Sequence, residues 1–277
     1  MKSLIGALAL GALATVATVA AAQDKYTTGV DGTFAPHAFP KLGGGIEGFN
    51  VDLVDELRKR LGAEIELVAT QWSGLLPGLA AGTYDFVAAP TTITEERSSN
   101  LLFTEGYLNT DFLFVVKAGS EKITDLKQFK GKTIAVNKGA VYDSWARGLT
   151  EEIGWTVESY GTNADAIQAV LSGRAAANVA GNTASAWAAK QNPQLEVSYL
   201  HSTGLVWGMP LRKDSEELRQ KLEVAIECMK IDGTFAAMHE KWFGFPPPEG
   251  AAAVTPLPGW GQPGFAGYVD DGHQPSC

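Results

Sequence analysis

The sequence predicts an α/β protein built as two similar lobes, and two observations carry that expectation. Predicted strands and helices alternate along most of the chain, a pattern that makes a mainly parallel sheet flanked by helical crossovers. One unit also recurs: Leu75–Gly82, an apolar helix stopped by glycine, leads into the short buried run Asp85–Ala89, much as Ala166–Gly173 leads into Ala177–Gly181. With 277 residues, 45% hydrophobic and 19% charged, the chain has room for two lobes with their own cores and an ordinary globular composition.

In order, Lys2 is followed by an Ala-rich apolar run, Leu4–Ala22, and Ala20-Ala21-Ala22 before Gln23 fits a small-x-small cleavage site. Residues 1–22 are therefore expected to be a signal peptide. The rival is a retained membrane anchor, disfavoured by the weak hydrophobicity of Ala and Gly and the lack of a basic stop. No cysteine stands beside the site, so a lipid anchor is not expected. Tyr26–Val30 reads as a strand and Asp31–Pro36 as turn-rich. Asn50–Leu61 reads as a helix, with Leu53, Val54, Leu57 and Leu61 on one face and Gly62 as its stop. Glu64–Ala69 alternates as a strand, Ser73–Ala81 is a short helix, and Asp85–Ala89 is a strand. Phe112–Lys117, Thr133–Asn137, Trp155–Tyr160, Ala177–Gly181 and Leu195–His201 read as strands of a second set, with helices near Tyr142–Ile153, Asn163–Leu171 and Thr183–Lys190. Ser215–Lys230 carries Leu218, Leu222, Ile226 and Met229 on one face, and Asp214 with Glu217 has the spacing of a capping box. Phe235–Trp242 follows as a helix.

The formal net charge of −9 argues against a nucleic-acid partner and gives no basic patch for a membrane surface. Two cysteines, Cys228 and Cys277, in an exported chain are expected to form a disulfide. That bridge would pin the Pro- and Gly-rich tail as an ordered but irregular strap; two unpaired thiols are the alternative. No metal-ligand spacing and no cofactor signature are present, so no metal or cofactor is expected.

One stretch stands out chemically. Thr92-Ile93-Thr94-Glu95 has capping-box spacing, so a helix is predicted to begin there, with Arg97 in or near its first turn. A cation is misplaced at a helix N-terminus. An anion held by the guanidinium, the Thr92 hydroxyl and the turn amides would remove the conflict. A solvated arginine in an exposed Glu-Glu-Arg run is the plain alternative.

The Thr92–Arg97 segment, together with Gly48-Phe49-Asn50-Val51-Asp52-Leu53, Leu75-Leu76-Pro77-Gly78-Leu79 and Asp232-Gly233-Thr234-Phe235 leading to Lys241-Trp242-Phe243-Gly244, resembles the bacterial extracellular solute-binding proteins, family 3, over about residues 26–245. The resemblance implies a two-lobed periplasmic binding protein-like fold of type II, hinged by two crossing segments. Lobe one would be residues 23–112 plus 208–245, lobe two 113–207, and 246–277 a tail. It implies a periplasmic receptor, expected as a monomer, that captures a small carboxylate-bearing solute (an amino acid or derivative) and hands it to the membrane permease of an ABC importer. Ligand contacts are implied at Asp31, Phe34, Trp72, Ala89, Pro90, Thr92 and Arg97 of lobe one, and at Asn137, Gly139, Val141, Gly181 and Asn182 of lobe two. Read from sequence alone, both Phe34 and Trp72 favour core packing, although polar Gln71 and Ser73 on either side tip Trp72 toward the cleft. The sequence departs from the family at Gly181, where members binding ordinary α-amino acids place an aspartate for the ammonium. Either Asp31 or Asp143 takes that role, or the ligand lacks a standard amino group. The competing class is a periplasmic cyclohexadienyl or arogenate dehydratase, which shares the fold and needs a general acid or base in the cleft. His37 could reach the cleft but has no partner evident in sequence, and His239 reads as a surface or packing residue. A receptor's sensing module is a third possibility, one that would need a separate signalling partner.

Overall fold

The structure, a computed structural model, describes residues 23–277; the expected signal peptide, 1–22, lies outside the described residues. Strand β1 (Lys25–Asp31) leads through a turn and a two-stranded ribbon, β2 (Phe39–Pro40) with β3 (Ile46–Glu47), into helix α1 (Phe49–Leu61). Leu53, Val54 and Leu57 of α1 are buried, as their spacing requires, and Gly62 ends the helix in the left-handed conformation at φ 59°. Then come β4 (Glu64–Thr70), α2 (Trp72–Ala80), β5 (Phe86–Val87), β6 (Thr91–Thr92), α3 (Glu95–Asn100), β7 (Leu102–Phe103) and β8 (Leu108–Lys117). Next are β9 (Thr133–Asn137), α4 (Val141–Gly148), α5 (Thr150–Ile153), β10 (Thr156–Tyr160), α6 (Asn163–Leu171), β11 (Ala177–Gly181), α7 (Asn182–Gln191) and β12 (Leu195–Gly208). The last elements are β13 (Pro210–Leu211), α8 (Glu216–Ile231) and α9 (Thr234–Phe243).

Two sheets result. The first has the order β4-β1-β5-β13-β7 and the second β10-β9-β11-β8-β12-β6. Each has a parallel core, β4-β1-β5 and β10-β9-β11, but β13 and β7, and likewise β8, β12 and β6, join antiparallel to their neighbours. The sheets are thus mixed rather than mainly parallel, because each crossing between lobes reverses the chain's direction without a helix. The chain touches the second sheet at β6, returns to the first at β7, leaves it again after Phe103 and comes back at Met209, and there the last two crossings bond to each other. Thr104 donates its amide to the Met209 carbonyl and Tyr107 its amide to that of Trp207.

Four local expectations need correction. The cap of α3 is Thr94, whose hydroxyl accepts from the Arg97 amide at 3.2 Å, not Thr92; Thr92 is instead drawn into β6. The helix expected over Tyr142–Ile153 breaks at Leu149 (φ −96°, ψ 1°), next to Gly148, a poor helix former. Strand β12 runs past His201 to Gly208 through a bulge, where Asp111 accepts from the Thr203 amide at 2.8 Å. At α8 the cap position is Ser215 and no side-chain cap bond forms, so Asp214 does not act as one.

Apolar burial follows the sheets. Phe49, Leu53, Leu57, Phe86, Leu222, Ile226 and Phe235 pack in the first lobe, and Phe114, Phe129, Ile134, Trp155 and Val179 in the second. The tail runs as irregular chain over α8 and the outgoing crossing, and Cys277 is bonded to Cys228 of α8. It meets a buried charged layer: Lys230 Nζ is 2.7 Å from Glu105 Oε1, Glu223 accepts the Gly261 amide, and Glu227 pairs with His273. His239, read from sequence as surface or packing, is buried, with Nδ1 2.7 Å from the Phe245 carbonyl.

Candidate functional site

Strand ends and the turns after them converge between the lobes. Asp31 ends β1, Phe34 sits in the turn after it, and Trp72 opens α2. Ala89, Pro90, Thr92 and Arg97 follow β5, while Asn137, Ala140, Val141 and Tyr142 span the end of β9 and the start of α4. With Trp207 these residues line one cavity. It holds about 360 Å³ of space between atoms. Ligands of open α/β sheets sit at such carboxyl ends of strands.

Arg97 supplies the cavity's positive charge. Its Nη1 donates to the Thr92 carbonyl at 3.0 Å, and among the described residues no carboxylate lies within 4.0 Å of it. The guanidinium carbon stands 5.4 Å from the centre of the Trp72 ring, a cation–π distance. Burial pulls its pKa below the ordinary arginine value, the mark of a cation that water does not fully solvate. The solvated-arginine alternative does not describe this side chain. Since one of five guanidinium donors is used on protein, the rest are available for an anion.

Asp31 supplies the negative charge. Its Oδ1 accepts from the Thr33 amide (3.0 Å) and hydroxyl (2.6 Å). Burial raises its pKa, opposed by those bonds. Asn137 is 1% exposed and its Oδ1 has no partner, so an unused acceptor lies beside Asp31. The other acid considered for an ammonium, Asp143, is engaged elsewhere. It pairs with Arg147 Nε at 2.8 Å, accepts from Ser159 at 2.9 Å, and takes the Gly139 amide at 3.0 Å.

Three expected contact residues do not line the cavity. Gly139 has its amide tied to Asp143 and takes φ 75°. Gly181 lies beneath the Trp207 ring. Asn182 opens α7 and faces clefts on the far side, near Trp187 and Phe245. Ala140, within the Asn137–Val141 stretch read from sequence, lines it too, whereas Tyr142 and Trp207 line it without having been picked from sequence. Tyr142 carried a signal, standing one residue beyond Val141; Trp207, inside a strand, carried none. His37 turns out to have partners on both lobes: Nδ1 lies 2.9 Å from Asn50 Oδ1 and Nε2 2.8 Å from the Thr183 hydroxyl of α7. Burial lowers its pKa to about 4. Among the described residues no group of three His, Cys, Asp or Glu could hold a metal.

Two α/β lobes, joined by paired crossings and enclosing a cavity with one cation and one carboxylate, make a hinged ligand-binding protein. The chain belongs to the bacterial extracellular solute-binding proteins, family 3, whose profile matches residues 26–245. It is 33% identical to the L-cystine-binding protein TcyJ of Escherichia coli (strain K12) over 218 residues, covering 78% of this chain and 81% of that one. An ancestral arginine-binding protein solved with arginine superposes with a TM-score of 0.76 at 32% identity, covering 80% of this chain and 99% of that one. An ancestral amino acid-binding protein described as a precursor of cyclohexadienyl dehydratase superposes with a TM-score of 0.72 at 31% identity, over 79% of this chain and 95% of that one.

Proposed function

We propose that this chain is the periplasmic receptor of an ABC importer, capturing an amino acid or amino-acid derivative by its carboxylate and presenting it to a membrane permease. The observation that carries the reading is Arg97: a guanidinium with no carboxylate partner among the described residues, lining a cavity between the two lobes. Lobe one comprises residues 23–112 plus 208–245, lobe two 113–207, and residues 246–277 strap the first lobe. Residues 1–22 are removed on export, and the mature chain acts as a monomer. The ligand's carboxylate lies against Arg97 and the Thr92 hydroxyl, its cationic group against Asp31 and Asn137, and its carbon skeleton among Phe34, Trp72, Val141 and Tyr142.

Magnitudes support a shared task. A micromolar site needs about 8 kcal/mol, and a charge-assisted hydrogen bond contributes about 1.5–3 kcal/mol. Two bonds to Arg97 fall short, so burial between the aromatic walls and exclusion of water supply the remainder. The protein acts by binding alone, and hinge closure takes the place of chemistry. Native mass spectrometry of protein purified from periplasm, followed by calorimetric titration of the co-purified compound and of an amino-acid panel, tests this. Saturable one-to-one binding of a carboxylate is expected. Turnover of prephenate or arogenate by the purified protein would replace the receptor with an enzyme.

A further inference from the structure

The glycine at 181 is not explained by its backbone. With φ −58° and ψ 142° it occupies a conformation open to any residue. Space explains it: a Cβ there would lie 2.4 Å from Cζ2 and 2.6 Å from Cη2 of Trp207. The indole has nowhere to retreat. Trp207 is 2% exposed and stands edge-on to His37, ring centres 5.0 Å apart, in an interior where side chains interdigitate closely.

Trp207 also reaches the anion side of the cavity. It is the cross-strand partner of Thr92, and its Nε1 donates to Thr92 Oγ1 at 3.1 Å. An indole N–H can only donate, so the threonine hydroxyl must accept and its single proton is left for another acceptor. The charged residues lining the cavity are Arg97 and Asp31. One cation and one carboxylate match a ligand carrying one of each.

We propose that Trp207 sets the charge specificity of the site. By filling the space above Gly181 it keeps a second carboxylate out of the cavity, and by its hydrogen bond it turns the Thr92 hydroxyl toward the ligand's carboxylate, so that the site takes net-neutral zwitterions and rejects dibasic amino acids. This inference rests on the carboxylate-binding reading above and adds the substrate's charge class to it. Trp207 acts on the ligand through Thr92 and through the wall it forms, as a positioning and specificity-determining residue.

Calorimetric titration of the purified protein with L-serine, L-glutamine and glycine betaine, against L-lysine and L-arginine, tests it. The wild type should bind at least one neutral zwitterion about tenfold or more tightly than either dibasic amino acid, about 1.4 kcal/mol or more. Trp207→Phe keeps a ring but loses the donor and leaves a small void, so its melting temperature should fall by several degrees; in the folded variant the neutral ligand should bind about fivefold more weakly with the neutral preference kept. Gly181→Asp combined with Trp207→Ala should move the ratio about tenfold toward lysine and arginine. Wild-type protein that binds lysine or arginine as tightly as the neutral ligands overturns the proposal, as does a Trp207→Phe variant with unaltered affinity. These two measurements decide the matter even where the double variant does not fold. Binding that survives Arg97→Ala defeats the carboxylate reading, and this inference with it. Binding that needs Arg97 but ignores Trp207 defeats this inference alone.

Discussion

Replacing Arg97 with alanine separates its binding role from its structural one. In the fold the side chain makes one hydrogen bond, to the Thr92 carbonyl, and one cation–π contact, with Trp72. Losing both costs about 1–2 kcal/mol. Removing a cation that burial already disfavours offsets part of that cost. The net change should be within about 1 kcal/mol, a shift of roughly 2–4 °C in melting temperature for a chain of this size. Binding should respond far more. Two parallel charge-assisted bonds to a carboxylate, at about 1.5–3 kcal/mol each, amount to about 3–6 kcal/mol, or roughly a hundred- to ten-thousandfold in Kd. Arg97→Lys retains the charge but not the planar fork, and should lie between the two, about tenfold or more weaker than wild type. Calorimetry with the physiological ligand and its carboxamide analogue supplies the control. Wild type should lose most of its affinity for the amide, and the alanine variant should barely distinguish the two. A loss below about threefold with the carboxylate, in a folded variant, would show that the guanidinium is not the anion's partner.

Three further outcomes follow from the buried groups. His37 stays neutral in the fold with a pKa of about 4, against about 6.5 unfolded; its stabilising effect is intact above pH 6.5 and falls away by about 3 kcal/mol as pH drops toward 4. His37→Gln should therefore flatten the acid limb of a urea-denaturation series relative to wild type, and parallel limbs would exclude His37 as the source. Glu223 has the opposite sign. Burial raises its pKa to about 8, so stability is lost as pH rises from about 4.5 through 8. Glu223→Gln should gain on wild type across that interval, by up to about 5 kcal/mol at its alkaline end. The disulfide closes a sequence separation of 49 residues, worth about 4 kcal/mol in the chain-entropy view. Cys228→Ser with Cys277→Ser should lower the melting temperature by roughly 8–16 °C while leaving affinity within about threefold, because no tail residue lines the cavity. A large loss of affinity would instead tie the strap to ligand capture.

The parts of this molecule readable from sequence are those whose cause is local. Leu53, Val54 and Leu57 of α1 announce a buried face by spacing, and Gly62 its end, because helix period and left-handed backbone are properties of a few consecutive residues. Arg97 was legible for the same reason: a cation at N3 of a helix conflicts with its own backbone. The cap was misplaced because Thr92 and Thr94 are equally good locally; the choice is made by a distant strand, since pairing with β12 takes Thr92 away. Asp143 remained an open candidate although Arg147, one helical turn later, is a natural ion-pair partner. Trp207 was out of reach altogether. Its meaning lies in a glycine and a threonine brought to it by sheet topology, and no window of sequence contains all three.

The two lobes contribute unequally to the cavity, and that inequality orders the proposed capture. Both charged groups, Asp31 and Arg97, come from the lobe that carries β1 and β5, whereas Asn137, Val141 and Tyr142 of the other lobe bring no charge. A zwitterion can be oriented by the first lobe alone; the second then removes water from around it and so strengthens both ion pairs. The crossings are stiff next to the first lobe. Thr104 and Met209 bond each other, Lys230 ties the Gly106 carbonyl and Glu105 to α8, and the tail covers that segment through Gln262 and Leu257. The proposed capture therefore places its bending on the far side of the crossings, at the β8–β12 bulge around Asp111 and Thr203, where the strand register shifts. The bond from His37 to the Thr183 hydroxyl of α7 spans the same gap. In the proposed capture, closure would draw on this neutral histidine on one side of the ligand and on the ligand's own charges on the other.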